Sequence, residues 1–165
     1  MPSEPPEQLQ PGAASGDAAR SPEPMEEPIA VSVSIEACAG GVVFDERRRL
    51  LVVRRAHPPG AGLWTIPGGR CLPGEVPADA CVRELAEETA LVVRVVRHVG
   101  AVRRPGPVDD IVYEIDDFLC ERVSGSLRAG DDADDAAWVT LAQLAELPTV
   151  PGLVDALTQW QVLPA

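Results

Sequence analysis

The stretch IPGGRCLPGEVPADACVRELAEETAL, residues 66–91, decides how this chain is read. It opens on Pro67-Gly68-Gly69, a tight bend in which glycine's conformational freedom lets backbone carbonyls approach a ligand. Pro73-Gly74 makes a second turn, Glu75 follows, and residues 78–89 carry the pattern of a helix. At helical spacing Glu84, Glu87 and Glu88 share a sector of about 100°. Cys81, Val82 and Leu85 fall on the neighbouring side and can face a core. Like charges at i,i+3 and i,i+4 repel by about 0.2–0.5 kcal/mol per pair. Three crowded glutamates are therefore unfavourable unless cations sit among them. Hard divalent cations that prefer oxygen ligands, Mg²⁺ above all, suit such a cluster. Arg83 adjoins it and can hold one carboxylate in place. Taken alone, such a helix reads more simply as a solvated face with an Arg–Glu pair. The residues before it reverse that preference.

The order is Gly69, five residues, Glu75, seven residues, then Arg83-Glu84-Leu85-Ala86-Glu87-Glu88. This resembles the Nudix box, the signature of the Nudix hydrolase family. Its six specified Gly, Glu and Arg identities all match. At a usage of about 7% each, chance gives on the order of one in ten million per start position. One position departs: the family's last Gly is Ala90 here. That Gly usually ends the helix in a left-handed conformation, so Ala90 either bears a strain of roughly 1 kcal/mol or lets the helix run on. The resemblance covers about residues 30–160.

The resemblance implies an α/β fold, a Nudix-type α/β/α sandwich with a mixed β-sheet flanked by helices. It implies hydrolysis of a nucleoside diphosphate linked to another group (ADP-ribose, a nucleotide sugar or a (d)NTP) by water attack on phosphorus, with Mg²⁺ or Mn²⁺. Glu84 and Glu88 would hold metal with Glu87 assisting, and the Gly68 carbonyl would be a further ligand. Glu84 and Glu87 are the candidate catalytic carboxylates, with Arg83 beside them. Gly69, Glu75 and Arg83 also belong to the frame that orients the helix. Relatives add an acid from a late loop a few residues before a Trp. Asp131, Asp132, Asp134 and Asp135 precede Trp138, and Asp132 is the chosen ligand or base. A solvated acidic loop is the alternative. A non-catalytic nucleotide-binding regulatory module of the same fold is the alternative function.

Substrate contacts are sought among Trp64, Arg70 and Arg103. Trp64 could stack on a base, or pack in the core. Arg54, Arg55 and Arg104 are further phosphate candidates. Pro105 and Pro107 straddle the place of a proline that marks the ADP-ribose-cleaving relatives.

Outside this stretch, residues 1–28 are rich in Pro and acids and poor in apolar side chains. They are expected to be a disordered tail, with the domain at 29–165. Val31, Val33 and Ile35 alternate with polar residues as in a strand. Residues 37–45 and Leu50–Arg54, separated by a polar turn, predict a hairpin. Further strands are expected at 91–99, 111–123 and 136–139, with Ile111, Tyr113, Ile115 and Leu119 on one face. Short helices are expected at 141–147 and 153–160. The 165 residues hold 26 acids against 14 bases, every base an Arg, for a net charge of −12. Such a balance disfavours a nucleic-acid polymer or an anionic membrane as partner. The expected partner is a small nucleotide; monomer or homodimer stays open. Four dispersed cysteines make no CxxC pair and point to reduced thiols in a cytoplasmic protein.

Overall fold

The computed structural model describes residues 32–165, so the tail expected at 1–28 lies outside the described residues. Four strands form a mixed sheet in the order β4 (Gly68–Arg70), β1 (Ser34–Val43), β6 (Ile111–Ser124), β5 (Val92–Pro105). β1 runs parallel to β6 and antiparallel to β4, and β5 is antiparallel to β6. A smaller antiparallel sheet has the order β3 (Trp64–Thr65), β2 (Leu50–Arg55), β7 (Ala133–Val139). The helices are α1 (Pro77–Thr89), α2 (Leu141–Glu146) and α3 (Leu153–Gln159). The α/β architecture, a mixed sheet flanked by helices, is the one expected.

The predicted hairpin of the first two strands is corrected. Its turn closes, with the Asp45 N–H donating to Arg49 O at 3.0 Å, but β1 and β2 share only a bridge at Phe44–Leu50 before entering different sheets. The cause is burial on both faces: Val42 and Val43 in β1, and Leu50 and Leu51 in β2, are sealed from solvent. Each strand is thus interior, flanked by two others: β4 and β6 for β1, β3 and β7 for β2. Other boundaries move as well. β5 runs on to Pro105, β7 starts at Ala133, and the stretch read as a bend contributes β3 and β4.

Alternation along β1 feeds two cores. Ala39 and Val43 pack with Ala80, Cys81 and Leu85 of α1 and with Phe118 and Cys120 of β6. Val42 joins Val52, Trp64, Leu144 and Leu157 in the second cluster, where α2 and α3 close the other side. A fully buried leucine such as Leu85 contributes about 2 kcal/mol, which anchors α1 and its acidic face on the sheet. All four cysteines are free thiols. Among the described residues no helix is long and apolar enough to cross a membrane.

Candidate active site

The acidic face of α1 is organised by Arg83. Its guanidinium donates from Nε to Glu75 Oε1 and from Nη2 to Glu75 Oε2, both at 2.8 Å. Nη1 donates to Glu84 Oε1 at 2.7 Å and reaches Glu87 at 3.4 Å, and Nη2 also donates to the Arg70 carbonyl at 3.0 Å. One planar cation thus ties the turn before the helix, the end of β4 and three carboxylates together, a task suited to a rigid multi-donor fork. The Arg83 guanidinium, helped by the Leu72 N–H, holds the Glu75 carboxyl down at about 2.

The Gly68-Gly69 segment forms the opposite wall. Glu88 accepts the Gly68 N–H at 3.0 Å. A Cβ on Gly69 would lie 2.5–2.7 Å from the Glu84 carboxyl atoms, so only glycine lets that carboxylate close onto the strand. Burial pushes the Glu88 carboxyl up to about 7, and the charges of Glu84 and Asp132 add to the rise against the opposing Gly68 N–H. Desolvation and like charge together explain this direction.

Asp132 reaches this neighbourhood through backbone hydrogen bonds. The Arg128 N–H donates to Thr89 O at 3.0 Å and the Gly130 N–H to Glu88 O at 2.9 Å, so the late loop is fastened to the end of α1. These bonds satisfy carbonyls that a helix C-terminus leaves without partners. Asp132 itself is 71% exposed, with His57 Nε2 at 3.8 Å. Asp134 lies 3.9 Å from Arg54, and Asp135 accepts the N–H of Ala136.

Gly68, Gly69, Glu75, Arg83, Glu84, Glu87 and Glu88 are thereby brought together, with Asp132 close enough to act on Glu88. The three candidate substrate contacts are engaged elsewhere. Trp64 is 9% exposed and belongs to the second core cluster, with the Arg54 guanidinium over its ring at 5.8 Å. The Arg70 guanidinium pairs with Glu36 at 3.3 Å. Arg103, 65% exposed, pairs with Glu114 at 2.8 Å. It lines a depression of about 310 Å³ with Arg104, Pro105 and Gly106, and no glutamate of the box contributes to that lining.

Among the described residues no three His, Cys, Asp or Glu side chains converge closely enough to form a ready metal cage. The donor chemistry nonetheless fits a hard cation. All the candidate donors are oxygens, and Glu88 is held partly desolvated against two other carboxylates, a repulsion that a divalent ion among them would relieve.

One acidic residue escaped the sequence reading. Asp117, in the middle of β6, is 3% exposed and its Oδ1 is buried with no hydrogen-bond partner among the described residues. The signal was there: the alternation Ile111, Tyr113, Ile115, Leu119 has Asp117 in its gap.

Fold and site together define a chain that folds an acidic helix against a glycine turn. The NUDIX domain model matches residues 35–160, and the chain belongs to the NUDIX family. Over 110 residues it is 33% identical to an ADP-ribose pyrophosphatase of Methanocaldococcus jannaschii, covering 64% of this chain and 62% of that protein. Over 64 residues it is 39% identical to a protein of Bacillus subtilis named putative 8-oxo-dGTP diphosphatase, covering 39% of this chain and 41% of that one. The chain thus spans less than two thirds of the length of either relative. A MutT NUDIX hydrolase from Burkholderia pseudomallei shares the fold with a TM-score of 0.65 at 24% identity, over 76% of this chain and 98% of that one.

Proposed function

We propose that this protein is a Mg²⁺- or Mn²⁺-dependent pyrophosphohydrolase that cleaves a nucleoside diphosphate linked to another group, by attack of water on phosphorus. The observation that carries the proposal is the Glu84–Glu88 pair, clamped between Arg83 and the Gly68-Gly69 segment. Glu84, Glu88 and the Gly68 carbonyl would hold the metal, with Glu87 and Asp132 at the rim. When bound, the metal supplies charge neutralisation at the diphosphate and lowers the pKa of a bound water.

The residues of the chain do the rest. Arg83 keeps Glu84 in place and cannot itself be deprotonated, so it preserves the arrangement across the working pH range. The Gly68 N–H fixes the orientation of Glu88. Glu87 is 57% exposed and only loosely tied to Arg83, which leaves it free to take a proton from the attacking water. Preorganisation of these groups matters because charge develops on the phosphoryl oxygens as the bond breaks.

The names of the two relatives support two substrate classes, ADP-ribose and oxidised deoxynucleoside triphosphates. The same proposal places the reaction in the cytoplasm. A panel of ADP-ribose, nucleotide sugars, 8-oxo-dGTP and ordinary (d)NTPs, with Mg²⁺ or Mn²⁺ and detection of released phosphate or nucleoside monophosphate, tests the proposal. Turnover of at least one member is expected. No turnover of any member overturns hydrolysis and leaves the nucleotide-binding regulatory module.

A further inference from the structure

Two arginines close β2, and strand alternation sends them to opposite faces. Arg54 shares the face of Val52 and lies over the Trp64 ring, with Asp134 at 3.9 Å. Arg55 shares the face of Leu51, which belongs to the same cluster as Leu85 of α1, so its side chain leaves the strand on the side that α1 covers. There it meets the late loop. Arg55 pairs with Ala133 of β7 beyond a register shift, and the Ala56 N–H donates to Asp132 O at 3.4 Å. The same loop is fastened to Glu88 O through the Gly130 N–H. Arg55 is therefore seated beside the Glu88 end of the acidic face, and its charge draws the Glu88 carboxyl downward against the net rise.

The Arg55 guanidinium is held but not used up. Its Nε donates to Pro59 O at 2.7 Å. The backbone folds back to bring that carbonyl within reach: the Arg55 N–H donates to Leu63 O at 2.9 Å and the Gly62 N–H to Arg55 O at 2.8 Å. Among the described residues the two Nη groups make no hydrogen bond and pair with no carboxylate. Other arginines considered for the site are engaged: Arg83 with Glu75, Glu84 and Glu87, Arg70 with Glu36, and Arg103 with Glu114. A guanidinium fixed through one N–H, with a planar fork left open, is preorganised for a two-pronged bond to phosphate. A diphosphate entering among Glu84, Glu87, Glu88 and Asp132 meets repulsion from their charges, which a cation at this position offsets.

We propose that Arg55 binds the diphosphate of the substrate through its two open Nη groups, with the Pro59 carbonyl fixing the angle of the fork. The inference rests on the pyrophosphohydrolase reading and deepens it, making Arg55 a substrate-binding residue outside the carboxylate clamp.

Calorimetric titration of the full chain with imidodiphosphate in Mg²⁺ tests it, because this diphosphate analogue carries no base and resists cleavage. Arg55→Gln is expected to bind it at least about tenfold more weakly. Arg55→Lys should recover only part of that loss, since an ammonium lacks the fork; if Arg55→Gln fails to fold, Arg55→Lys carries the test with a loss of at least about threefold. Arg47→Gln, in the turn before β2, removes the same charge at the other end of the strand and should stay within about twofold of the parent. A parallel Mn²⁺ titration separates phosphate from metal binding: taking a cation away from Glu88 should leave Mn²⁺ affinity equal or tighter. Equal imidodiphosphate affinity in parent and folded Arg55 variants, no binding by the parent, or weakened Mn²⁺ binding in the variants overturns the inference. Imidodiphosphate binding that needs Arg55, in a chain that hydrolyses no member of the substrate panel, would support the phosphate contact while removing the hydrolase reading. Turnover of the panel with imidodiphosphate binding indifferent to Arg55 would do the reverse.

Discussion

Ala90→Gly should stabilise the protein. Ala90 ends α1 at φ 60°, ψ 16°, in the left-handed region, with its N–H donating to Ala86 O at 3.0 Å. The surroundings leave it no choice. The buried Thr89 donates to Leu85 O and accepts the Leu91 N–H at 3.3 Å, while the Arg128 N–H holds Thr89 O. A non-glycine residue in that conformation bears about 1–2 kcal/mol. Glycine removes this, but gives back roughly 0.5 kcal/mol through the freer unfolded chain and the loss of a half-buried methyl. The net gain is about 0.5–1.5 kcal/mol, or roughly 1–6 °C in Tm for a chain of this size. Thermal and urea melts of the two proteins read it directly, and catalytic constants should be unchanged because Ala90 carries no ligand. A Tm equal to or below that of the parent would show that the helix end is not held left-handed in solution, and the account of how the 128–132 loop is fastened to α1 would fall with it.

Three other outcomes follow from the site and from β6. Gly69→Ala should push the Glu84 carboxylate off its seat, lowering kcat/KM at least about tenfold while the circular dichroism spectrum stays native. Arg83→Lys should lower both Tm and kcat/KM, because an ammonium cannot keep the two-pronged bond to Glu75 and also reach Glu84; parent-like values for both would contradict the clamp. Burial raises the Asp117 carboxyl from 3.8 to about 7, so the folded state favours its protonated form. Its contribution is full below about pH 4 and is lost as pH rises through about 7, an effect of up to about 4 kcal/mol. Relative to the parent, Asp117→Asn should therefore gain stability between pH 5 and pH 8 in urea melts, and a constant difference across that range would refute the shift.

The candidate site was legible because it is local in sequence. Glu84, Glu87 and Glu88 share a helix face by periodicity alone, and Gly69, Glu75 and Arg83 stand at fixed spacing from them. Asp132 was legible only as one of four aspartates in a loop. The backbone bonds from Arg128 and Gly130 bring its loop to the end of α1, and side-chain identity does not encode them. The hairpin failed for a related reason. A polar turn between two apolar strands predicts pairing, but burial of both faces of β1 and β2 gives each strand two better neighbours from distant sequence. Trp64 was open between core and base because an aromatic side chain beside a glycine turn suits both, and its place in the cluster with Val52 and Leu144 comes from distant sequence. Asp117 was overlooked because a lone acid in a strand looks solvated until the glycines on both sides of it are seen.

The most direct test of the central claim is steady-state hydrolysis of the best panel substrate with Mg²⁺ by Glu84→Gln and Glu88→Gln, each checked for a native melt. Replacing either carboxylate with an isosteric amide removes a metal-binding charge and leaves the shape. The account predicts a fall in kcat of at least about 100-fold in each. Near-parental kcat in either variant would contradict the assignment of Glu84 and Glu88 as the groups that hold the metal.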